Sequence, residues 1–469
     1  MTTLSILDAA REAPQRLAIA DSERRIRFAE LAERVRARMT ALEALGRAGT
    51  TDELVAITTD ESLDSIEWLL ACIELHRPFL PLHPRLTAVE RAELTARAPI
   101  AGHIEPGATT VRESTARAAA DRLPPNAEVL AAIATSGTTR APRLALLGRR
   151  AFLASAAASA ANLGWQEDDR WLSCLPVAHI GGLSVVTRCL LARRAVVLMP
   201  GPGARSSGER LAAAFVAGGV TLASVVPTQL TALLELAPRF HMPSRVRALL
   251  TGGAAAGRAL LAACADRGWP VITSYGMTEA CSQVATQRPG TVNRGELGSG
   301  RPLPGVSIRL AGGVIEIGGP TLFSGYLGER ECSVVNGWYR TADLGAFDAE
   351  GNLHVLGRRD DVIISGGENV APSEVEAVLE RCPGVLEACV FGVADPRWGE
   401  VVAAALRTSR SDIDAVIQSA HAMARAELAR FKVPKLYAAL PDLAEGRTGK
   451  RDRRATAAAV APLLRPPVE

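Results

Sequence analysis

The sequence has almost no lysine. Of its 53 basic residues only Lys432, Lys435 and Lys450 are lysines, and every basic residue before Phe431 is an arginine. The two side chains are not interchangeable, because lysine carries a compact ammonium on a flexible stem. A lysine kept in such a chain indicates a chemical need for it, and this argument applies most strongly to Lys450.

Other absences exclude several classes of protein. The eight cysteines show no C-x-x-C spacing, and the seven histidines form no metal-ligand cluster, which argues against structural zinc and fits a reduced, cytoplasmic protein. A net charge of +3 argues against an obligate nucleic-acid binder. No apolar run is long enough to span a membrane, and the N-terminus has no signal-peptide core. We therefore expect a cytoplasmic protein with no nucleic-acid partner and no membrane span.

The pattern of apolar residues predicts the fold class. Residues 4–46 read as helical, and from residue 54 to about 279 short strands alternate with helices, which is typical of βαβ units and a mainly parallel sheet. From residue 298 short β segments with Gly-rich turns indicate a small barrel-like sheet, and the charged run 358–361 suggests a linker. We predict an α/β protein: a large N-terminal domain of parallel-rich sheets with helices plus a small β-barrel-like part, followed by a small, mobile α+β C-terminal domain.

One predicted strand, residues 129–133, leads into a loop of hydroxyl residues around a glycine. The loop reads TSGTT at residues 135–139, and it offers backbone N–H groups and hydroxyls that suit phosphate oxygens. It lacks the spacing of a Walker loop. Taken alone it is also compatible with an ordinary Ser/Thr turn.

Five further segments set this loop in a context. They are TGGAA (251–255), YGMTE (275–279), YRTAD (339–343), GRRDDVIISGGENVAPSEVE (357–376) and GRTGKRDR (446–453). With TSGTT they occur in the order found in the adenylate-forming superfamily of acyl-CoA synthetases, non-ribosomal adenylation domains and luciferases. The chain resembles that superfamily over nearly its whole length, and the resemblance implies ATP, Mg²⁺ and coenzyme A as a co-substrate.

The resemblance implies a nucleotide and coenzyme site made of several loops. The carboxylate of Asp343 would accept the ribose hydroxyls, as acidic residues do in other nucleotide sites. The implied cofactor-binding residues are Thr135, Ser136, Gly137, Thr138, Thr139 and Arg143 at the phosphates, Gly253 and Ala254 at the adenine, Tyr275, Gly276 and Met277 at the adenylate, Asp343 and Arg358 at the ribose, and Gly366 and Gly367 along the pantetheine path.

The resemblance also implies catalytic roles. Glu279 is the one acid of its motif and would hold Mg²⁺, an ion that needs few protein ligands. Lys450 would stabilise the charge that develops on the α-phosphate and the attacking carboxylate, and Thr278 and His179 would complete the catalytic set. Asp360 falls at the family's hinge, so the implied division is a large domain 1–358, a hinge 359–361 and a small domain 362–469.

Two residues depart from the superfamily's phosphate loop, which usually reads TSGTTG-x-PKG. Arg140 replaces the glycine, and Arg143 replaces the lysine. Arg143 preserves the charge, whereas a Cβ at position 140 restricts positive φ angles. These changes leave the conformation of the loop and its ATP affinity open.

The acid substrate is indicated by the segments around the expected acyl pocket. Residues 176–182 contain no acid that would pair with a substrate amine, which disfavours an amino acid. LPVAHIGGLSVVTRCLL and SYGMTEACSQVATQ look most like o-succinylbenzoate–CoA ligases of menaquinone biosynthesis. Within that resemblance Arg188 would pair with a second substrate carboxylate, with Gly182 and Ser282 beside it; Arg188 is equally compatible with a surface position.

We therefore predict a ligase that first forms an acyl-adenylate and then a CoA thioester, with small-molecule partners only. The alternatives are a ligase for another aryl or fatty acid, an enzyme that loads a carrier protein, and a non-catalytic ligand-binding relative. The oligomeric state stays open, a homodimer included.

Overall fold

The computed structural model describes residues 3–21, 23–45, 52–114, 122–124, 128–135, 143–201, 206–236, 239–292, 294–329, 333–408, 410–444 and 452–467. Lys450, Arg140 and four residues of the predicted phosphate loop, Ser136, Gly137, Thr138 and Thr139, lie outside this set.

The elements follow one another in three groups. The first group is α1 Ile6–Glu12, β1 Leu17–Ala20, β2 Arg25–Arg27, α2 Phe28–Glu43, β3 Leu54–Thr58, α3 Leu63–Glu74, β4 Phe79–Leu82, α4 Ala88–Ala96, β5 Ile100–Ile104, β6 Arg112–Glu113, β7 Val129–Thr135 and β8 Arg143–Gly148. The second is α5 Arg149–Leu163, β9 Arg170–Ser173, α6 Ile180–Ala192, β10 Ala195–Leu198, α7 Ser207–Ala217, β11 Leu222–Val225, α8 Pro227–Glu235, β12 Ala248–Thr251, α9 Arg258–Asp266, β13 Val271–Met277, β14 Ser282–Thr286 and β15 Arg301–Pro302. The third is β16 Ser307–Ala311, β17 Val314–Gly318, β18 Val334–Val335, β19 Trp338–Phe347, β20 Leu353–Arg358, β21 Ile363–Ser365, β22 Glu368–Val370, α10 Pro372–Leu379, β23 Val385–Asp395, β24 Gly399–Thr408, α11 Ile413–Glu427, β25 Leu436–Leu440 and α12 Arg453–Val460.

Two large sheets, each with parallel strands at its centre, account for most of the chain. Within the described residues the larger has nine strands in the order β15-β14-β13-β12-β11-β9-β10-β1-β2, and the other has six in the order β6-β5-β3-β4-β7-β8. The antiparallel partners lie towards the edges. Strand β3, LVAIT, is buried at all five positions, as expected for a strand covered on both faces. The predicted α/β class is confirmed.

Helices α3 and α6 hold these two sheets together. From Leu63 to Ile73 helix α3 is buried on almost every side, with Trp68 only 1% exposed. Both helices belong to one apolar cluster that includes Val55 of the six-stranded sheet and Val196 of the nine-stranded sheet. A helix that is apolar all round is stable only inside a core, so these helices fix the relative position of the two sheets.

Two smaller sheets complete the described chain. Strands β16–β20 form an antiparallel sheet, and β21–β25 form another, covered by α10, α11 and α12. The last sheet has its own apolar core around Val390, Leu406 and Tyr437. A short 3₁₀ turn, Arg359–Asp361, joins the two sheets.

Three local predictions were wrong. The predicted helical region 4–46 contains the strands β1 and β2, because the short run LAIA is buried and pairs in parallel with β10. Strand β8 was missed; it begins after Pro142 and pairs antiparallel with β7. The motif YGMTE is not a loop, because β13 continues to Met277 and only Thr278–Ala280 turns.

Among the described residues, no helix combines the length and the apolarity needed to cross a membrane.

Candidate functional site

The segment from Gly319 to Glu329 brings the ends of the two large sheets together. The backbone N–H of Ser324 donates to the carbonyl of Leu146 in β8 at 2.9 Å, and the N–H of Phe323 donates to the carbonyl of Glu279 at 2.9 Å. The segment therefore contacts the strand that follows the TSGTT loop and the turn that ends YGMTE. Two motifs more than 130 residues apart are placed at one site.

Thr135 and Arg143 mark the two ends of the predicted phosphate loop. They pair across β7 and β8, and the hydroxyl of Thr135 donates to the carbonyl of Arg143 at 3.2 Å. The Arg143 guanidinium stacks on the ring of Tyr326, 3.8 Å from its centroid, and donates to Tyr326 Oη and Glu329 Oε1, at 3.1 Å each. The strand pair thus holds a half-exposed cation beside the loop.

Glu279 lies in the 3₁₀ turn after β13, next to Thr278. One carboxylate oxygen, Oε1, accepts a hydrogen bond from the Tyr326 hydroxyl. The other makes no hydrogen bond to any described residue, and the side chain is partly exposed. A carboxylate fixed through one oxygen, with the other available, is a suitable single ligand for Mg²⁺. Among the described residues no group of three metal-ligating side chains exists.

Tyr275 and Asp343 meet although 68 residues separate them. The Tyr275 hydroxyl donates to Asp343 Oδ2 at 2.7 Å, and Arg358 lies directly opposite Asp343 in the β19–β20 pair. Burial and the Asp343 carboxylate raise the pKa of Tyr275, so the phenol stays protonated and donates throughout the neutral range. The structure therefore brings together the predicted adenylate motif and both predicted ribose residues.

The predicted adenine loop follows β12, which neighbours β13. Gly253 has a φ of 80°, a conformation that glycine adopts without strain. A Cβ on Gly252 would lie 2.8 Å from the carbonyl oxygen of Ser274. The absence of a side chain lets this loop pack against the Tyr275 strand, which places Gly253 and Ala254 at the same sheet end.

The turn between β13 and β14 is tight, and this explains why position 276 is a glycine. A Cβ on Gly276 would lie 2.0 Å from the carbonyl oxygen of Ser282. Met277 pairs with Ser282 across the hairpin. Cys281 and Ser282 both have positive φ, 51° and 93°, which is uncommon for residues with a side chain. This strained reversal sets the direction of the Ser282 and Gln283 side chains.

Arg188 is not at the surface. It is 3% exposed on α6, and within the described residues its guanidinium has no carboxylate partner. Its Nη2 donates to Ser155 Oγ at 3.4 Å, and the guanidinium lies 5.7 Å from the Trp171 ring centroid. Its Nε has no hydrogen-bond partner in the described part of the chain. Burial lowers the pKa of Arg188 to about 10. A buried cation without a counter-charge is costly unless a ligand supplies one.

His179 and Gly182 lie at the start of α6, on the same helix as Arg188. His179 is the N-terminal cap residue, and its ring is 5.4 Å from that of His83. A Cβ on Gly182 would lie 2.4 Å from the carbonyl oxygen of Pro176, so glycine allows the helix to begin against the preceding loop. Sequence reasoning had no signal for His83, which lies in a different βα unit.

The small C-terminal unit carries the remaining predicted residues. Gly366 and Gly367 have φ values of 62° and 85° and form the two-residue turn between β21 and β22, a turn that favours glycine. A Cβ on Gly366 would lie 2.7 Å from the Trp398 ring, and the Lys435 ammonium lies 4.1 Å from the centroid of that ring. Asp360 is exposed in the turn between the two units.

Sequence reasoning missed three aromatic side chains at the site. The hydroxyls of Tyr326 and Tyr339 form a hydrogen bond of 3.2 Å. The ring of Trp398 packs against the Gly366 turn. The sequence did give one indication of the tyrosines, which is their rarity: the chain has only four. Three of them, Tyr275, Tyr326 and Tyr339, lie at this site.

Comparison with known proteins gives a consistent picture. The profile of the family described as AMP-binding enzyme matches residues 6–327, and that of the AMP-binding enzyme C-terminal domain matches residues 374–450. The 2-succinylbenzoate–CoA ligase of Bacillus cereus is 37% identical over 340 residues, which cover 70% of this chain and 69% of that protein.

Two solved structures of one relative resemble the chain over nearly its whole length. The o-succinylbenzoate CoA synthetase of Bacillus subtilis in complex with its acyl-adenylate intermediate gives a TM-score of 0.83 at 30% identity, covering 97% of each chain. The same synthetase in complex with ATP and magnesium ion gives a TM-score of 0.81 at 30% identity, covering 96% of this chain and 98% of that one.

Proposed function

Because the chain belongs to the AMP-binding enzyme family, we propose that it is an ATP-dependent ligase that converts 2-succinylbenzoate, ATP and CoA to 2-succinylbenzoyl-CoA, AMP and diphosphate, a step of menaquinone biosynthesis. The acid first attacks the α-phosphate to give an acyl-adenylate and diphosphate. The CoA thiol then displaces AMP. The observation that carries the choice of acid is the buried guanidinium of Arg188, which has no carboxylate partner among the described residues.

Arg188 supports a substrate with two carboxylates. One of the two carboxylates of 2-succinylbenzoate reacts at the phosphate, and the other is left to bind elsewhere in the pocket. A guanidinium binds a carboxylate through two parallel hydrogen bonds, and this one has an Nε without a partner. The ligand would supply the missing counter-charge. Gly182, Ser282 and His179 would line the same pocket.

The nucleotide would bind between the two large sheets. We assign the phosphates to the TSGTT loop and Arg143, the ribose to Asp343 and Arg358, and the adenine to Gly253 and Ala254. Glu279 is a fitting Mg²⁺ ligand because its second carboxylate oxygen makes no hydrogen bond to a described residue. When bound, the metal ion neutralises charge on the phosphates of ATP.

Lys450 is proposed as the residue that stabilises negative charge at the reacting carboxylate and phosphate. It lies outside the described residues, and the proposal rests on its motif and on the scarcity of lysine in the chain. Arg453, three residues later, is anchored in the small unit: it pairs with Glu376, donates to the Val390 carbonyl, and lies 3.5 Å from the Asp361 carboxylate. This anchor links the lysine segment to the turn that holds Asp360.

The coenzyme would approach along the small unit. The Gly366–Gly367 turn offers backbone without side chains, which suits a narrow pantetheine path. Trp398 is 39% exposed beside that turn, with Lys435 over one face of the ring. An exposed aromatic ring next to a cation suits a nucleotide base and its phosphates. We assign the nucleotide end of CoA to this surface.

Adenylation would need Lys450 to face the nucleotide site, and thioester formation would need the coenzyme surface to face it. Both belong to the small unit, and one arrangement of the two units cannot easily serve both half-reactions. We propose a large domain 1–358, a hinge 359–361 and a small domain 362–469 that rotates between the two steps. In the described arrangement, a Cβ on Gly257 at the start of α9 would lie 2.6 Å from Glu380 Oε2 of the small unit. The small unit would dock against the large one at this close approach.

The test is mass-spectrometric detection of CoA thioesters across a panel of acids with purified protein, ATP and Mg²⁺. We expect 2-succinylbenzoyl-CoA as the dominant product. Preference for benzoate or octanoate would make the chain a ligase for another aryl or fatty acid. Transfer only to a phosphopantetheinyl protein would make it a carrier-loading enzyme. A cytoplasmic location is proposed because the reaction consumes ATP and CoA, and sedimentation velocity tests the homodimer.

A further inference from the structure

The hydroxyl of Tyr326 lies between the two charged groups proposed to act on ATP. It contacts Glu279 Oε1, Arg143 Nη2 at 3.1 Å and the Tyr339 hydroxyl at 3.2 Å. Tyr326 lies 47 residues from Glu279 and 183 from Arg143 in the sequence. The contact is therefore made by the tertiary fold and not by local chain geometry.

The hydrogen-bonding capacity of this hydroxyl is fully used. A phenol has one proton to donate and two lone pairs to accept with. Arg143 can only donate and an ionised Glu279 can only accept, so the Tyr326 proton goes to Glu279. Tyr339 then donates to the remaining lone pair. A phenol keeps its proton at neutral pH, so both hydroxyls have a proton to donate.

The ring of Tyr326 is held rigidly. The residue is 4% exposed, and the ring of Phe323 packs edge-on against it at 4.9 Å. Its backbone forms a bridge to Ala145 in β8. The Arg143 guanidinium covers the ring face at 3.8 Å. With its backbone and ring both fixed, Tyr326 holds its hydroxyl at a defined place between β8 and the Glu279 turn.

We propose that Tyr326 is a positioning residue, which holds the Glu279 carboxylate and the Arg143 guanidinium in a fixed relation so that both act on one MgATP. The proposal rests on the proposed function. The bond to Oε1 directs the second oxygen of Glu279 to the metal ion. Groups that orient a metal ligand in this way affect metal affinity strongly.

The same contact accounts for arginine at position 143. A planar guanidinium can stack on a ring while its nitrogens donate in two directions, and Arg143 does so towards Tyr326 and Glu329. A lysine ammonium has no flat face to stack. The departure from the usual lysine is therefore matched to Tyr326 and preserves a fixed positive charge beside the phosphate loop.

The test is Tyr326→Phe in the full-length protein, which removes the hydroxyl and keeps the ring. ATP is titrated calorimetrically at a series of MgCl₂ concentrations, and ATP–pyrophosphate exchange is followed over the same series. We expect the Mg²⁺ concentration for half-maximal binding to rise about 10- to 100-fold, with exchange recovering at high Mg²⁺. The matched control is Tyr437→Phe, which removes a buried hydroxyl bonded to His421 in the small unit and should leave the Mg²⁺ dependence unchanged.

A wild-type Mg²⁺ dependence in Tyr326→Phe would overturn the inference, as would an equal change in Tyr437→Phe. If Tyr326→Phe does not fold, Tyr339→Phe replaces it; that variant removes the donor to Tyr326 and should shift the Mg²⁺ dependence in the same direction by a smaller factor. No shift there would also overturn the inference. A wild-type protein that binds no MgATP would overturn the proposed function, and the inference with it.

Discussion

The phenol of Tyr275 donates a hydrogen bond of 2.7 Å to the carboxylate of Asp343. This contact joins the end of the nine-stranded sheet to the antiparallel sheet that follows it. It also orients the carboxylate that is proposed to accept the ribose hydroxyls. The backbone of Asp343 is held separately, because its N–H donates to Thr341 Oγ1 at 3.0 Å. The orientation of Asp343 therefore depends on a residue from a different motif.

We predict that Tyr275→Phe raises the KM for ATP roughly tenfold, the scale of one hydrogen bond to a charged group. The KM for the acid should change little, since the lost bond orients only the ribose contact. Steady-state kinetics with Asp343→Asn as the reference variant checks this. An unchanged KM for ATP in both variants would remove the pair from the nucleotide site.

Glu279→Gln should abolish adenylation without unfolding the protein. The side chain is partly exposed, and glutamine keeps its volume while it removes the charge that binds Mg²⁺. ATP–pyrophosphate exchange measures the activity, and circular dichroism with thermal melting checks the fold. Normal exchange in a folded variant would show that Glu279 does not hold the metal ion.

Arg188→Met should weaken binding of the acid while it leaves the stability of the ligand-free protein unchanged or higher. Removal of one partner of a buried charge pair in the bound state costs on the order of 2–5 kcal/mol of binding. Replacement of buried ionic groups by apolar side chains of similar volume is often neutral or stabilising, by about 1–4 kcal/mol, and in Arg188→Met no described carboxylate loses its partner. Thermal unfolding and the KM for 2-succinylbenzoate are the two measurements.

Arg247→Met is the matched control for that prediction. Arg247 is partly buried, and it donates to the fully buried carboxylate of Asp169 at 2.6 Å. Its removal leaves the buried Asp169 carboxylate without a counter-charge and should destabilise the fold by about 3–5 kcal/mol. A loss of stability in Arg188→Met similar to that in Arg247→Met would indicate a structural role for Arg188.

Lys450→Ala and Asp360→Pro should separate the two half-reactions. Lys450→Ala is expected to slow adenylation by roughly 10²–10³, as for a lost oxyanion donor, and to spare thioester formation from supplied acyl-adenylate. Proline fixes φ near −65° and would trap the hinge, so Asp360→Pro should spare adenylation and slow thioester formation. Equal loss of both steps in both variants would contradict the proposed division of the chain.

The sequence indicated the site more reliably than it indicated the local structure around it. The motifs around Glu279, Asp343 and Gly253 are read from residue types, and the structure brings them together. The extended course of YGMTE could not be predicted, because β13 is prolonged by pairing with β14 and the hairpin reverses at Cys281 and Ser282, neither of which is a glycine. Strand β1 could not be predicted either, because a run of four apolar residues between two helices is too short to show the periodicity of a strand.

The position of Arg188 was beyond sequence reasoning for a different physical reason. Its apolar neighbours on α6 are compatible with burial or with one exposed face, and only the packing of α6 between two sheets decides between them. Tyr326 was missed because its role depends on long-range contacts to Glu279 and Arg143. The rarity of tyrosine was the one signal that pointed to it.

The most direct test of the account is the acid dependence of ATP–pyrophosphate exchange, measured with 2-succinylbenzoate and with its two monocarboxylate analogues, 2-butanoylbenzoate and 4-(2-methylphenyl)-4-oxobutanoate, each of which keeps one of the two acid groups. For the wild-type protein we predict kcat/KM on the order of 100-fold higher for 2-succinylbenzoate than for the better analogue, and we predict that this ratio falls to near one in Arg188→Met. Equal rates with 2-succinylbenzoate and the better analogue in the wild-type protein, or a ratio that Arg188→Met leaves unchanged, would contradict the assignment of a dicarboxylate substrate held by Arg188.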